Sequence, residues 1–313
     1  MQINEANLDA IRVGFDTALF GAFDSADQGE MYTNRLAALR TSNTKTTRFG
    51  VMARVPKMRE WLGPRVYNNI TEYTYALTAK NYEDSIEVDA DAIREDNLGI
   101  YNDPLAAIGA QARKHPDDLL VTLLQNGHLS TATCYDGQNF FDTDHPTTKG
   151  ASGSQQNYWS GSKALTLDNV MSVRATMMAY RGDDNRPLGV RPNLLVVPPA
   201  LEHVAVQISK AAFIANTAGA TPAAGTTGVE NVVKGMFDVL TMPELAGSDT
   251  TWYLFDTTKK AKPIIVVENE GIVTDMVGPG SENYFKAKKI LYGVSWRGTA
   301  GYGAWFLGAK AVA

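Results

Sequence analysis

Residues Cys134–Pro146 read CYDGQNFFDTDHP. Asp136, Asp142, Asp144, His145 and the only cysteine of the chain fall within these thirteen positions, and carboxylates, imidazoles and thiolates are the groups from which metal and nucleophilic sites are built. Two readings compete. In one, Asp142, Asp144 and His145 hold a divalent cation for a metal-dependent hydrolase. In the other the segment is an ordered surface turn, because Asp136-Gly137 is a strong turn signal, Phe140 and Phe141 are apolar anchors, and His145-Pro146 begins an extended dipeptide. A catalytic metal site gathers three protein ligands, an open position and an outer shell that orients them. The chain has four histidines, none close to another in sequence, so the turn is the preferred reading and no metal or cofactor is expected. Cys134 has no base beside it in sequence and is read as a buried or inert thiol.

Other reactive signatures are missing from the sequence. It contains no GxSxG elbow, no phosphate-cradling GxxxxGK[ST] loop and no HExxH pair, so the common hydrolase and nucleotide sites are not expected and the chain is not read as an enzyme. At 313 residues it exceeds the usual size of a single core, so one elaborated fold with two or three subdomains is expected. Hydrophobic residues make up 44% and charged residues 20%, which is too apolar for disorder. One cysteine allows no internal disulfide, so packing and oligomerisation must supply stability. The start MQINEANLDA lacks the basic and apolar regions of a secretory signal, and no run of 18 apolar residues predicts a membrane span. A net charge of −5 argues against a dedicated nucleic-acid grip, which needs clustered Lys and Arg.

Charge is segregated along the chain. From Arg35 to Arg65 there are eight basic residues and one acid, Glu60; from Glu83 to Asp103 there are eight acids and one base, Arg94. Such runs are commonly two solvated faces. The sharper reading makes Arg54, Lys57, Arg59, Trp61 and Arg65 on one side, and Glu83, Asp84 and Glu87 on the other, charge-complementary contacts between copies of the chain.

Periodicity supplies the elements. Leu8, Ile11, Phe15, Ala18, Leu19 and Ala22 share one helical face over residues 5–24. Alternation at Thr47–Val55, a turn at Gly63-Pro64 and a β-rich run at Thr71–Val88 predict a long two-stranded excursion, too lean to be stable alone. Asp103-Pro104 starts the longest helix, which continues to Gly127 with a kink or break expected at His115 ahead of Pro116. A helix over Leu167–Arg181, a buried strand at Asn193–Val197 and a helix over Pro199–Ala211 follow. Thr217–Gly228 reads as a low-complexity loop. Short strands are expected at Phe237–Met242, Trp252–Phe255 and Pro263–Val267, with terminal strands at Tyr284–Trp296 and Tyr302–Leu307. The order is that of an α+β protein.

Beyond CYDGQNFFDTDHP, the segments REWLGPR (59–65), EDNLGIY (95–101), RPLGVRPNLLVVPPALE (186–202) and WYLFD (252–256) occur in an order that resembles the major head subunit of Mu-like bacteriophages and prophages. The resemblance covers most of residues 40–260 and is weaker in the first helix and after Gly271. It implies a tailed-phage major capsid fold of the Hong Kong phage type. It further implies an N-terminal arm over 1–46, an extended β-hairpin loop over 47–88, and a peripheral domain over 89–183 with a spine helix at about 103–127. An axial domain over 184–270 and return strands over 271–313 complete the expectation. The implied function is a major capsid protein that self-assembles into pentamers and hexamers of an icosahedral head enclosing double-stranded DNA without sequence-specific binding. The implied partners are further copies of the chain, a separate scaffolding protein, a portal and decoration proteins; the implied location is the virion, assembled in the host cytoplasm. A non-viral compartment shell of the same fold is the other alternative. Lys57 lies where some capsids of this fold carry a cross-linking lysine, but no partner asparagine is specified, so that chemistry is not carried over.

Overall fold

The computed structural model describes residues 5–26, 31–51, 73–91, 101–146, 155–182, 185–214 and 229–313. In chain order the elements are α1 (Glu5–Ala26), α2 (Tyr32–Leu36), β1 (Ala37–Thr41), β2 (Thr46–Val51), β3 (Tyr73–Thr78), β4 (Lys80–Asp89), α3 (Asn102–Asn126), β5 (Tyr158–Trp159), α4 (Leu167–Met178), β6 (Leu194–Val197) and α5 (Glu202–Lys210). They continue with β7 (Phe213–Ile214), β8 (Val229–Glu230), β9 (Asp238–Thr241), β10 (Thr251–Phe255), β11 (Ile264–Val277), α6 (Glu282–Ala287), β12 (Lys289–Tyr302) and β13 (Gly308–Val312). The chain forms two compact units, one from Met1–Thr47, Ala76–Leu120 and Val266–Ala300, the other from Arg48–Tyr75, Val121–Ile265 and Gly301–Ala313.

The first unit is built on a sheet of order β1-β11-β12-β4. β4 and β12 pair antiparallel from Lys289 opposite Asp89 to Gly298 opposite Lys80, and alternate residues of β12 are buried, the period-2 signature of a strand with one covered face. Helices α1 and α3 supply the cover. Ile11, Phe15 and Leu19 of α1 and Leu105 of α3 form one apolar cluster with Val88, Ile290, Tyr292 and Val294 from the strands. Each fully buried side chain of this kind contributes about 1.5–3 kcal/mol relative to exposure. α1 and α3 meet closely at Gly109, where a Cβ would stand 2.2 Å from the Leu19 carbonyl oxygen, so only glycine fits that crossing. The short α2 has no cap of its own at Met31. Asp117 of α3 supplies one, its carboxylate accepting from the Tyr32 N–H at 3.1 Å and the Thr33 N–H at 2.8 Å.

The second unit holds a sheet of order β5-β13-β10-β6-β9. β10 pairs antiparallel with both β13 and β6, while β6-β9 and β13-β5 are parallel. All four residues of β6 are fully buried, as expected for a central strand covered on both faces. β7 and β8 form a separate two-stranded ribbon.

Several elements depart from the sequence expectations. Of the kink or break expected ahead of Pro116, the break does not occur, α3 continuing through the proline; Leu105, Leu120 and Leu124 are all fully buried, and their packing outweighs the roughly 3 kcal/mol that an interior proline costs. β11 does not stop at Val267 but continues to Val277, because polar residues can alternate outward on a half-covered strand. Residues 284–287 are helical, not extended: Ser281 caps α6 by accepting from the Tyr284 N–H, and Lys288 ends it in a left-handed conformation at φ 52°. The last strand is Gly308–Val312, preceded by a 3-10 turn at Trp305–Leu307. Thr78 ends β3 and β4 pairs with β12, so the two-stranded excursion, as far as it is described, is β2 with β3 alone. Residues 52–55, the Gly63-Pro64 turn and the loop over 217–228 lie outside the described residues.

Candidate functional sites: the Asp136–His145 turn and the charged surfaces

The cysteine-to-proline segment folds as a tight loop closed by a bridge between Thr133 and Asn139. Gly137 adopts φ 93°, a conformation open to glycine at little cost. Asp136 serves both ends of the loop. Its Oδ1 accepts from the Gln138 N–H at 3.2 Å, and its Oδ2 faces His145 Nδ1 at 2.7 Å. The other ring nitrogen faces Asn157 Oδ1 at 3.2 Å. His145 is completely buried and its ring stacks on Trp305 at 3.9 Å and 3°.

Asn157 is the hub that motif reading missed. Its Nδ2 donates to the carbonyls of Phe140, Trp305 and Gly308 at 2.8, 3.2 and 3.1 Å, and its Oδ1 accepts from the Asp142 N–H at 2.8 Å. Every buried polar group it touches is thereby satisfied, the condition for burying them at all. The expected surface turn is therefore corrected: Thr143 and Asp144 are exposed, but Phe140, Phe141 and His145 belong to the core. The metal reading needs Asp142, Asp144 and His145 to converge. Among the described residues no group of three His, Cys, Asp or Glu side chains could hold a metal ion, and both His145 nitrogens already face Asp136 and Asn157. Desolvation of its carboxyl, and then the neighbouring Asp142, raise Asp144 from its ordinary value. Cys134 is buried, with Sγ 3.4 Å from the Gly303 carbonyl. Burial pushes its thiol well up, the opposite of an activated nucleophile.

A second buried charge lies in the same unit. Lys310 of β13 donates to the Gln125 carbonyl at 2.9 Å, facing His128 Nδ1 at 3.0 Å. Its ammonium sits among the rings of Phe141, Tyr158 and Tyr253 at 5.7–5.9 Å. It thus caps the Gln125 carbonyl at the C-terminal end of α3, where a cation is favoured. Burial pushes its amine down to about 8.

Of the proposed contact residues, Glu83, Asp84 and Glu87 lie exposed on β4, the outer strand of its sheet. Glu87 pairs with Lys289 across the β4–β12 ladder of the same subunit, and Asp91 with Lys288 at 3.5 Å, so part of the acidic run is neutralised internally. Arg54, Lys57, Arg59, Trp61 and Arg65 lie outside the described residues.

The fold that carries these surfaces and this turn is that of tailed-phage capsid proteins. The procapsid of bacteriophage JBD30 superposes with a TM-score of 0.57 at 25% identity over 99% of this chain and 76% of that one. The major capsid protein of Escherichia phage Mu is 24% identical over 77% of this chain and 98% of its own length. The FluMu prophage major head subunit of Haemophilus influenzae is likewise 24% identical, over 55% of this chain and 80% of its own. The match to the family of the Mu-like prophage major head subunit gpT spans residues 8–164, 153–245 and 241–312, and the chain belongs to that family. It is a major capsid protein, a structural component of the phage virion.

Proposed function

We propose that the chain forms pentamers and hexamers that close into an icosahedral head around double-stranded DNA. The reading takes residues 1–46 as the arm, 47–88 as the extended loop with β4 as its root in the sheet of the first unit, 89–183 as the peripheral domain, 184–270 as the axial domain and 271–313 as the return strands. The supporting observation is the exposed acidic edge strand β4, with Glu83 and Asp84 unmatched by a cation among the described residues that line the cleft beside them. A long edge strand left bare is an aggregation hazard, and charges on it restrict what can bind there. The basic segment carrying Arg54, Lys57, Arg59 and Arg65, with Trp61 as an apolar anchor, has the opposite sign and is the natural occupant from a neighbouring copy. Scaffolding, portal and decoration proteins are the further partners, with assembly in the host cytoplasm.

The protein has no catalytic role in this reading. Electron microscopy of the concentrated protein, with and without its scaffolding partner, is expected to show closed shells; a chain that stays monomeric under all such conditions rejects the reading. A chelator is expected to leave thermal unfolding unchanged. A metal site filled at a hundred times its dissociation constant would add about 2.7 kcal/mol, so a chelator-dependent drop abolished by Asp144→Ala with His145→Ala would reinstate the hydrolase.

A further inference from the structure

The first unit contains a cleft of about 180 Å³ between β4, β12 and α3. Its walls are aromatic. The Tyr82 ring lies 4.3 Å from that of His115 and 5.7 Å from that of Trp296, and His115 and Trp296 are 5.3 Å apart. Trp296 is held in place by its indole N–H, which donates to Glu268 Oε2 at 3.2 Å. Glu83 and Asp84, both exposed, stand at the mouth, and Gln111 is tied back to Asp118 at 2.8 Å. His115 Nε2 is buried against solvent and has no hydrogen-bond partner among the described residues. A buried polar atom without a partner costs about 1–3 kcal/mol, so this nitrogen marks where a donor is missing.

We propose that the cleft is a socket for an arginine from the Arg54–Arg59 stretch of a second copy of the chain. The proposal rests on the assembly reading and names the site of that contact. Three features select the occupant. Aromatic walls under carboxylates suit a flat cation, which stacks on a ring face while its N–H groups meet the acids. The apolar stem of a long side chain fills the remaining volume; a cavity of roughly 150 Å³ holds a benzene ring, so a planar guanidinium fits. Finally, a neutral imidazole nitrogen accepts from one of the five guanidinium N–H groups, and burial lowers the pKa of His115, keeping that ring an acceptor. Lysine is a poorer match, being a compact and strongly hydrated charge. Among the described residues no Lys or Arg of its own subunit lines the cleft, and none of them puts a further strand beside β4, so a segment of opposite charge can reach the mouth along the sheet edge.

Charge exchange tests the assignment. Glu83→Arg with Asp84→Arg changes two exposed side chains and is expected to leave the circular dichroism of the subunit intact while lowering particle yield about tenfold, the ratio that 1.4 kcal/mol of lost contact energy produces. Arg54→Glu with Arg59→Glu is expected to do the same, and the four changes together to recover the part of the yield that the charges at the mouth supply, short of wild type because a carboxylate neither stacks on the rings nor donates to His115. Tyr82→Ser keeps the charges, removes one wall, and must also lower the yield. Normal yield from Glu83→Arg with Asp84→Arg, or from Tyr82→Ser, in a chain whose wild type does form particles overturns the socket alone. Loss in both parents without recovery in the combination overturns the Arg54–Arg59 assignment. Wild-type chain that forms no particles rejects the assembly reading itself, so the two failures are distinguishable.

Discussion

Asn157 and Lys310 are single residues on which much of the second unit depends. Asn157→Leu would leave the Phe140, Trp305 and Gly308 carbonyls and the Asp142 N–H without their partner, at about 1–3 kcal/mol for each group that finds no other. A loss of at least about 3 kcal/mol is expected in urea unfolding of the subunit, whereas exposed Asp144→Ala should stay within about 0.5 kcal/mol. Equal effects would mean that the knot around His145 does not hold the loop. Lys310 carries a pH signature. Its amine is pushed from 10.5 to about 8 by burial; between those values the unfolded chain keeps a proton that the folded chain has released, so this group makes stability rise with pH across that window. Below about 8 both states are protonated and the burial penalty is felt in full. The urea midpoint of Lys310→Met, compared with wild type from about pH 8 to pH 10, is expected to lack that rise. The cysteine-to-proline segment was legible as a turn because its asparagine, glycine and aspartate chemistry is local. Its burial was not, because Asn157, Trp305 and Gly308 are distant in sequence and carry no motif.

Helix α1 shows what an element needs beyond its own periodicity. Its apolar face was readable from Ile11, Phe15 and Leu19, but the partner surface was not, since Gly109 looks like any helix-weakening glycine until the Leu19 carbonyl is found against it. Gly109→Ala is expected to push α1 off α3, with a loss of at least about 2 kcal/mol and faster proteolysis near the N-terminus. Gly14 and Gly21 are the controls. Among the described residues no atom beyond the helix's own backbone lies within 4 Å of a Cβ built at either, so alanine there should stabilise by about 0.5–1 kcal/mol through helix propensity. Destabilisation at Gly14 or Gly21 matching that at Gly109 would remove the close crossing as the explanation. The unbroken course of α3 through Pro116 and the extension of β11 to Val277 have one cause: packing against neighbours overrode a local preference.

At the scale of the whole molecule the expected property is assembly governed by charge. Reversing Arg54, Lys57 and Arg59 to glutamate should impair particle formation while leaving subunit unfolding unchanged, and raising the salt concentration should weaken wild-type assembly in the same direction. Exposed pairs are worth only about 0.2–1 kcal/mol each, but a shell repeats them at every contact. Trp61→Ala separates the apolar part of the contact, since an anchor between copies lowers the melting temperature of particles more than that of the free subunit. Sequence alone determined the α+β class, the long helices and the buried strands, the segregation of basic and acidic runs and, through segments such as REWLGPR and WYLFD, the capsid family. These are properties of neighbours along the chain, where periodicity, turn chemistry and short motifs act. The tertiary structure alone decided which strands pair, that β4 leaves the excursion to join β12 and becomes an edge, that α6 interrupts the terminal strands, and that Tyr82, His115 and Trp296 share one cleft. Those outcomes depend on burial between segments up to about two hundred residues apart, and the loop entropy that such pairings overcome leaves no trace in the local pattern.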